Sequence, residues 1–211
     1  MDLFHPQMTA FLEALTPARD PVLQEMEERA RQTRFPIIGP LVGQLFYLLT
    51  RLTGARRVFE MGSGYGYSTA WFARALRDNG GGEVYHVVWD EELSRQAKEY
   101  LGRLNLVPHV KFRVSEAVEE LGRTDGPFDI VFNDIEKKAY PDSLAVIKPR
   151  LSRGGLLLID NMFRSGRTFD PQVKEEGTEA VRRAARMLYD DPDFVTTVIP
   201  LRDGVLMAWR K

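Results

Sequence analysis

The sequence predicts an α/β fold, in which helices cover both faces of a mostly parallel, seven-stranded sheet that ends in an antiparallel hairpin. Three observations lead to this prediction. From residue 57 onward, short apolar runs rich in β-branched and aromatic residues alternate with longer stretches of helical spacing. A glycine-rich turn follows the first of these runs. Near the end of the chain, only Arg202 and Asp203 separate two strand-like runs, which is typical of a hairpin.

The N-terminal segment 1–52 is predicted to be helical and to cover the binding site of a core formed by residues 53–211. Asp20 is a typical N-cap, and proline follows it at the first helical position. Phe35-Pro36 should end this helix because the residue before proline disfavours helical geometry. A turn at Gly39-Pro40 then precedes a more apolar helix over residues 41–51.

The core is predicted to contain seven strands and four helices between them. The strands cover residues 57–61, 83–89, 110–115, 128–134, 155–160, 196–201 and 204–210. The helices cover residues 68–78, 91–104, 117–121 and 140–151. Continuous apolar runs, such as 130–132 and 156–159, favour a sheet that is buried on both faces.

Composition restricts the class of protein. The 211 residues suit a single domain, and no linker divides them. The formal net charge of −1 provides no global basic field for nucleic acid or an anionic membrane, and the absence of cysteine excludes disulfides and thiolate chemistry. Residues 1–6 lack the pattern of a signal peptide, and no apolar run approaches the roughly 20 residues of a membrane span. We therefore expect a cytoplasmic enzyme or binding domain.

The glycine-rich segment 60–68 follows a predicted strand and begins a predicted helix. Its glycines allow the backbone to turn sharply and to approach a ligand closely. The helix that starts near Ser68 directs free N–H groups towards an anion, and the Ser68 hydroxyl can add a donor. A dinucleotide-binding turn requires a third glycine where Tyr67 stands, so an S-adenosylmethionine site, with its methionine carboxylate at the helix, is favoured over a dehydrogenase or an ordinary turn.

Polar residues end two further predicted strands. Asp134 ends the fourth strand, and Asp160 and Asn161 end the fifth. Ligands of open parallel sheets bind beyond the carboxyl ends of the strands, so these side chains should lie on the same edge as the glycine-rich turn. Two carboxylates and one amide suit a hard cation such as Mg²⁺. Taken alone, Asp160-Asn161 would be interpreted as a polar turn and Asp134 could equally be a helix N-cap, but their joint placement at neighbouring strand ends favours a site.

Lys137 lies three residues after Asp134. A nearby divalent cation would favour the neutral form of a lysine through like-charge repulsion, so Lys137 is a candidate general base. A solvated surface lysine is the alternative, and it is the interpretation that we favour for Lys138.

These residues together resemble the cation-dependent O-methyltransferase family that contains catechol O-methyltransferase and caffeoyl-CoA O-methyltransferase. Members of this family are class I, Rossmann-like enzymes that depend on S-adenosylmethionine. The D-x-x-K-x-x-Y segment at 134–140 and the Asp160-Asn161 pair carry the specific part of the resemblance. The other matching segments are 38–40, 60–68, 154–155, 159–166, 191–194 and 200–204.

The resemblance implies roles for individual residues. Asp134, Asp160 and Asn161 would bind Mg²⁺ or another divalent cation, and Lys137 would be the base. Glu116 would meet the adenine amino group. The full set of predicted cofactor contacts is Gly39, Glu60, Gly62, Gly64, Gly66, Tyr67, Ser68, Asp90, Glu116 and Asp134.

One position departs from the family pattern. An acidic residue usually ends the second strand and binds both ribose hydroxyls, but here the position is Val88. Asp90 would lie on the same strand face and is a candidate substitute, and Trp89 could instead stack on adenine. Unpaired ribose hydroxyls in a buried site would cost about 1–3 kcal/mol of binding free energy.

The function that we expect is S-adenosylmethionine- and cation-dependent methylation of a hydroxyl on a small, catechol-like aromatic acceptor. Two alternatives remain, namely a tRNA hydroxyuridine O-methyltransferase and a cofactor-binding homologue with weak or no activity. An arginine-rich patch would support tRNA binding, and Val88 would support the homologue. The resemblance further suggests a homodimer without membrane association. Candidate residues of an aromatic pocket are Phe35, Trp71, Met162 and Phe163, and those of the tRNA patch are Arg164, Arg167, Arg182, Arg183 and Arg186.

Overall fold

Seven strands form one sheet in the computed structural model, which describes residues 7–211. The strands are β1 (Arg57–Met61), β2 (Glu83–Val88), β3 (Val110–Val114), β4 (Phe128–Asn133), β5 (Leu151–Ile159), β6 (Phe194–Ile199) and β7 (Val205–Arg210). Their order across the sheet is β3-β2-β1-β4-β5-β7-β6. The five strands from β3 to β5 are parallel, and β7 is antiparallel to both of its neighbours. The predicted parallel sheet with a C-terminal antiparallel hairpin is confirmed.

The strand order reverses direction at the centre of the sheet. The chain runs from β1 outward to β3 and then returns to add β4 on the other side of β1. A crevice opens beyond the carboxyl ends of the strands at such a reversal, and it is the usual ligand site of open α/β sheets. The fold therefore places the ends of β1, β2, β4 and β5 around one position.

Eight α-helices accompany the sheet in the described part of the chain. They are α1 (Met8–Leu15), α2 (Pro21–Thr33), α3 (Gly39–Leu52), α4 (Tyr67–Asp78), α5 (Glu91–Arg103), α6 (Ala117–Arg123), α7 (Tyr140–Arg150) and α8 (Glu176–Asp190). The start of α2 agrees with the sequence, because Asp20 Oδ1 accepts a hydrogen bond from Val22 N at 2.8 Å and Pro21 follows the cap. Arg34 adopts a left-handed conformation and ends α2 just before Phe35-Pro36.

Three elements differ from the sequence-based expectation. Gly39 and Pro40 form the first turn of α3 rather than a separate turn, since a first-turn proline needs no N–H partner. The strand β5 begins at Leu151, which pairs with Phe128. The amphipathic helix α8 was not among the predicted elements. The first six residues of the predicted helical segment 1–52 lie outside the described residues.

Alternating strand residues supply two cores, one on each face of the sheet. Leu156 and Leu158 belong to the core beneath the helices α2 to α5. Leu157 and Ile159 belong to the core beneath the helices α6 to α8. Burial on both faces explains why these strands are continuously apolar. Within residues 7–211, no helix combines the length and the apolar character needed to cross a bilayer.

Candidate active site

A cavity of about 400 Å³ opens at the carboxyl ends of the parallel strands. This volume is within the usual range of small-molecule sites. One wall is the glycine-rich turn after β1, and the connection between α2 and α3 covers it. The lining includes Phe35–Ile38, Gly62–Tyr65, Tyr67, Ser68, Val87–Trp89, Leu93, Ser115–Ala117, Asp134–Lys137, Ala139, Asp160 and Asn161.

Two glycines of the turn stand where a side chain would collide with the structure. A Cβ atom on Gly62, whose φ is +87°, would lie 2.6 Å from the carbonyl oxygen of Asp134. On Gly64, with φ of +50°, it would lie 3.0 Å from the Phe35 ring. The glycines therefore allow the β1 turn to approach the end of β4 and the covering segment closely.

Ser63 anchors the same turn to β2. Its backbone N–H donates to the Val87 carbonyl at 3.0 Å, and its Oγ accepts from the Val87 N–H at 2.9 Å. This reciprocal pair holds the backbone N–H groups of the turn at the bottom of the cavity. The turn is thus rigid before any ligand binds, which reduces the ordering cost of binding.

Glu60 lies beneath the turn and is fully buried. Burial raises the pKa of its carboxyl to about 7, although the Ser68 and Thr69 hydroxyls donate hydrogen bonds to it and favour ionisation. When Glu60 is ionised, the single proton of Ser68 is directed to Glu60, so Ser68 presents lone pairs to the cavity. Our expectation that Ser68 donates to a cofactor carboxylate therefore applies only while Glu60 is protonated.

The hydrogen-bonded chain extends to His86, a residue that the sequence analysis did not single out. Thr69 Oγ1 lies 3.0 Å from His86 Nδ1 in the interior of the protein. Burial lowers the pKa of His86 to about 3, and its Nε2 has no hydrogen-bond partner among the described residues. Only the pairing of Glu60 with His86 across β1 and β2 reveals this contact, because the two positions are distant in sequence.

The predicted ligands Asp134, Asp160 and Asn161 line the cavity together with Lys137. Lys137 Nζ lies 2.6 Å from Asp134 Oδ1 and 3.3 Å from the Ile135 carbonyl oxygen. Burial, followed by the negative charge of Asp134, raises the pKa of Asp160 to about 7. Burial also raises the pKa of Asp134, against the opposing effect of the Lys137 ammonium. The cluster is therefore an acidic pair whose ionisation is disfavoured by burial and by mutual repulsion, with Lys137 opposing both effects.

The chemistry of these side chains fits a hard divalent cation. Their carboxylate and amide oxygens are the ligand types that Mg²⁺ prefers, and a cation would relieve the repulsion between the two carboxylates. Within residues 7–211, no three His, Cys, Asp or Glu side chains come together as a metal site. A cation bound here would therefore need the amide of Asn161 as its third protein ligand. The cation requirement stays a prediction.

The predicted cofactor contacts divide into two groups by position. Those that line the cavity are Gly62, Gly64, Tyr67, Ser68, Glu116 and Asp134, and those that do not are Gly39, Glu60, Gly66 and Asp90. Gly66 lies against α5, where a Cβ atom would be 3.0 Å from Ala97 Cβ. Gly39 faces Arg202, whose Nη1 would be 2.7 Å from such an atom. These two glycines permit packing of neighbouring elements rather than contact with the cavity.

The end of β2 forms the opposite end of the cavity from the acidic pair. Val88 is buried there, and Trp89 lines the cavity with 77% of its surface exposed. Asp90 does not line the cavity, because its Oδ1 caps α5 by accepting from Leu93 N at 2.9 Å. Of the two candidates for the ribose and adenine region, the structure brings Trp89 to the cavity and not Asp90.

Glu116 lines the cavity and also caps α6, where its Oε2 accepts from Glu119 N at 2.7 Å.

Among the aromatic residues proposed to line the acceptor region, Phe35 lies at the cavity. Trp71 and Met162 are buried in the two cores instead. Apolar residues on the wall that the sequence did not point to include Ile37, Leu93, Ile135 and Ala139.

Arginines of the expected phosphate-binding patch already form hydrogen bonds within the protein. Arg182 donates to the carbonyl oxygens of Thr168 and Val173 at 3.1 and 2.8 Å. Arg164 donates to Thr178 Oγ1 at 3.1 Å. These bonds order the segment that precedes α8, which weakens the basis for a tRNA site without testing tRNA binding itself.

Comparison with known proteins gives a consistent result. A family model described as O-methyltransferase matches residues 15–211 of the chain. A Mycobacterium tuberculosis (strain ATCC 25618 / H37Rv) protein named "Probable O-methyltransferase Rv1220c" is 30% identical over 197 residues, which cover 92% of this chain and 86% of that protein.

Solved structures share the complete fold. The O-methyltransferase TomG from Streptomyces achromogenes, which is involved in tomaymycin synthesis and was solved with S-adenosylmethionine, superposes with a TM-score of 0.85 at 27% identity. The match covers 96% of this chain and 95% of TomG. An O-methyltransferase from Bacillus cereus, solved with S-adenosylhomocysteine, gives a TM-score of 0.85 at 26% identity and covers 96% of both chains.

Proposed function

The chain belongs to the O-methyltransferase family, and from this premise we propose that it methylates a hydroxyl group of a small, catechol-like aromatic diol with the aid of a divalent cation. The methyl donor is S-adenosylmethionine, as the ligands of the similar structures indicate. The observation that carries the proposal is the convergence of Asp134, Asp160, Asn161 and Lys137 on the cavity beside the glycine-rich turn.

S-adenosylmethionine supplies a methyl group on a sulfonium centre, which an oxygen nucleophile can displace. The turn at Gly62–Gly64 lines the cavity and would bring backbone close to this cofactor, and Ser68 lies at the start of α4 beside the turn. At the other end, Trp89 offers an aromatic face and Glu116 a carboxylate for the adenine. These residues would align the donor, and alignment of the two reactants supplies much of the rate of a bimolecular displacement.

A divalent cation lowers the pKa of a bound hydroxyl and fixes its orientation. Asp134, Asp160 and Asn161, which line the cavity, would hold the cation, and the cation would bind the hydroxyl groups of a diol. Lys137, as the free amine, is the proposed acceptor of the hydroxyl proton at its Nζ atom, which lies 2.6 Å from Asp134 Oδ1. The covering segment Phe35–Ile38 would exclude water and provide an apolar surface for an aromatic ring.

The proposal is tested by incubating the purified protein with methyl-labelled S-adenosylmethionine, Mg²⁺ and a panel of catechols. We expect label in a methyl ether of at least one catechol and its loss when EDTA replaces Mg²⁺. Failure to methylate any catechol with or without metal would contradict the proposed acceptor. Transfer to tRNA alone would favour the tRNA alternative, and tight binding of S-adenosylhomocysteine without any transfer would favour the inactive homologue.

A matched pair of lysine variants tests the proposed base. Lys137→Met should lower kcat by about 10²–10⁴-fold, because general base catalysis typically contributes that much. Lys138→Met is the control, since Lys138 is exposed and does not line the cavity. Single-turnover rates of both variants, with S-adenosylhomocysteine affinity measured in parallel, provide the comparison. Equal rates for the two variants would exclude Lys137 as the base.

A further inference from the structure

The turn between β6 and β7 is fitted closely onto the segment that follows β5. The carbonyl oxygen of Asp203 accepts from Phe163 N at 2.7 Å, and that of Gly204 accepts from Met162 N at 3.0 Å. A Cβ atom on Gly204, with φ of +81°, would lie 2.8 Å from the Phe163 ring. The turn and the segment therefore form one hydrogen-bonded unit, although about 40 residues separate them along the chain.

The Asp203 side chain adds two contacts to this unit. Its Oδ1 accepts from Ser165 N at 2.7 Å, and its Oδ2 accepts from Asn161 Nδ2 at 3.1 Å. An ionised carboxylate only accepts hydrogen bonds, so the amide group of Asn161 must turn its NH₂ towards Asp203. The carbonyl oxygen of the same amide consequently faces away from Asp203.

Asn161 connects Asp203 to the acidic pair in the cavity. Its φ of +60° lies in the left-handed region, and its side chain lines the cavity beside Asp134 and Asp160. Asp203 does not line the cavity, but its charge contributes to raising the pKa of Asp134, so it lies within electrostatic reach of the acidic pair. Asp203 can thus influence the cluster, through its contact with Asn161 and through its charge, without lining the cavity itself.

We propose that Asp203 is a positioning residue that orients the amide of Asn161 so that its carbonyl oxygen, and not its NH₂ group, is presented as a cation ligand. The inference rests on the cation requirement of the proposed function. Partners of this kind typically account for 10- to 100-fold in metal affinity when they are removed.

The test measures metal binding without catalysis. Mn²⁺ is titrated into the full-length protein, and free Mn²⁺ is followed by its electron paramagnetic resonance signal. Asp203→Asn should weaken Mn²⁺ binding by about 10- to 100-fold. A carboxamide at this position has one acceptor oxygen instead of two. Whichever of Ser165 N and Asn161 Nδ2 it does not accept from would then face its NH₂ group, which is also a donor. The matched control is Asp170→Asn, because Asp170 is an exposed aspartate whose Oδ1 accepts from Gln172 N at 2.9 Å.

A double-mutant cycle tests whether Asp203 acts through Asn161. In an Asn161→Ala background the orientation of the amide no longer matters, so adding Asp203→Asn should reduce Mn²⁺ affinity by clearly less than it does in the wild-type protein, leaving only the loss of its charge near Asp134. Full additivity of the two substitutions would overturn the inference. The affinity for S-adenosylhomocysteine and the Tm separate this role from a purely structural one, and they should stay close to the wild-type values in D203N.

The remaining outcomes also decide the question. If the wild-type protein binds Mn²⁺ and D203N binds it with the same affinity, the inference is overturned and the proposed function is unaffected. Parallel loss of Mn²⁺ binding, S-adenosylhomocysteine binding and thermal stability in D203N would assign Asp203 a structural role and overturn it as well. Absence of Mn²⁺ binding by the wild-type protein would reject the cation requirement and, with it, the inference.

Discussion

Gly62 stands where the end of β1 approaches the end of β4. Its replacement should lower the free energy of unfolding for two separate reasons. Gly62→Ala should destabilise the protein by about 2–4 kcal/mol, because it adds a backbone clash to the strain of a positive φ. Gly154→Ala is the control, since Gly154 has a similar φ of +79° but open space around it. The control should lose only about 1 kcal/mol of unfolding free energy. Equal losses in urea unfolding would contradict the close approach of the two strand ends.

Glu60 makes the stability of the protein depend on pH. Its pKa rises from an ordinary value of 4.5 to about 7 on folding, so the native state binds more protons than the unfolded state between these values. Stability should therefore fall as pH increases from about 4.5 to 7, by about 3 kcal/mol from this group, and then level off. Glu60→Gln should remove this part of the slope in urea unfolding at a series of pH values.

Glu91→Gln provides the comparison for Glu60→Gln, because Glu91 is exposed at the start of α5. It should retain the wild-type pH dependence. The other raised carboxyl groups, Asp134 and Asp160, contribute a slope of the same sign and are unchanged in both variants. A wild-type slope in E60Q would show that Glu60 is not the group responsible.

At the scale of elements, the β6–β7 turn reaches the covering segment on the far side of the cavity. Arg202 Nη1 donates to the carbonyl oxygen of Ile37 at 2.6 Å, across 165 positions of sequence. Its guanidinium also lies against Gly39 at the start of α3. The same turn holds Asn161 through Asp203, so it connects both sides of the cavity opening.

Arg202→Ala should loosen the connection between α2 and α3. We expect amide hydrogen exchange at Phe35, Ile37 and Ile38 to accelerate by about 5- to 30-fold, which corresponds to the loss of about 1–2 kcal/mol from a charge-assisted hydrogen bond. The control is Arg153→Ala, because Arg153 is an exposed arginine that donates to the Lys211 carbonyl. Unchanged exchange in R202A would mean that packing of Phe35 and Ile38 holds this segment without the arginine.

At the scale of the whole molecule, cation binding should be linked to pH. The pKa of Asp160 is about 7 and that of Asp134 is also raised, so a cation must displace protons from the pair below neutrality. Below pH 7 the affinity for Mg²⁺ should fall by up to about tenfold per pH unit. A fixed Mg²⁺ concentration should therefore raise the Tm more at pH 8 than at pH 6. An equal increase at the two pH values would place the cation elsewhere or exclude it.

Most of the fold could be predicted because it depends on local patterns. Continuous apolar runs predicted the buried parallel strands, and the Asp20-Pro21 pair predicted the start of α2. The ends of elements were less predictable, as Leu151 illustrates. Its pairing with Phe128 extends β5 towards the chain's preceding helix, and only the neighbouring strand provides that partner.

The sequence by itself determined the succession of strands and helices, the glycine-rich turn and the polar residues at the strand ends, because spacing along the chain decides which residues fall at the end of a strand. Tertiary structure alone decided which of them share the cavity. It directed Asp90 to the cap of α5 and brought Trp89 to the cavity instead. It also joined Asp203 to Asn161, since a hydrogen bond between distant residues depends on how the strands pair and leaves no local pattern in the sequence.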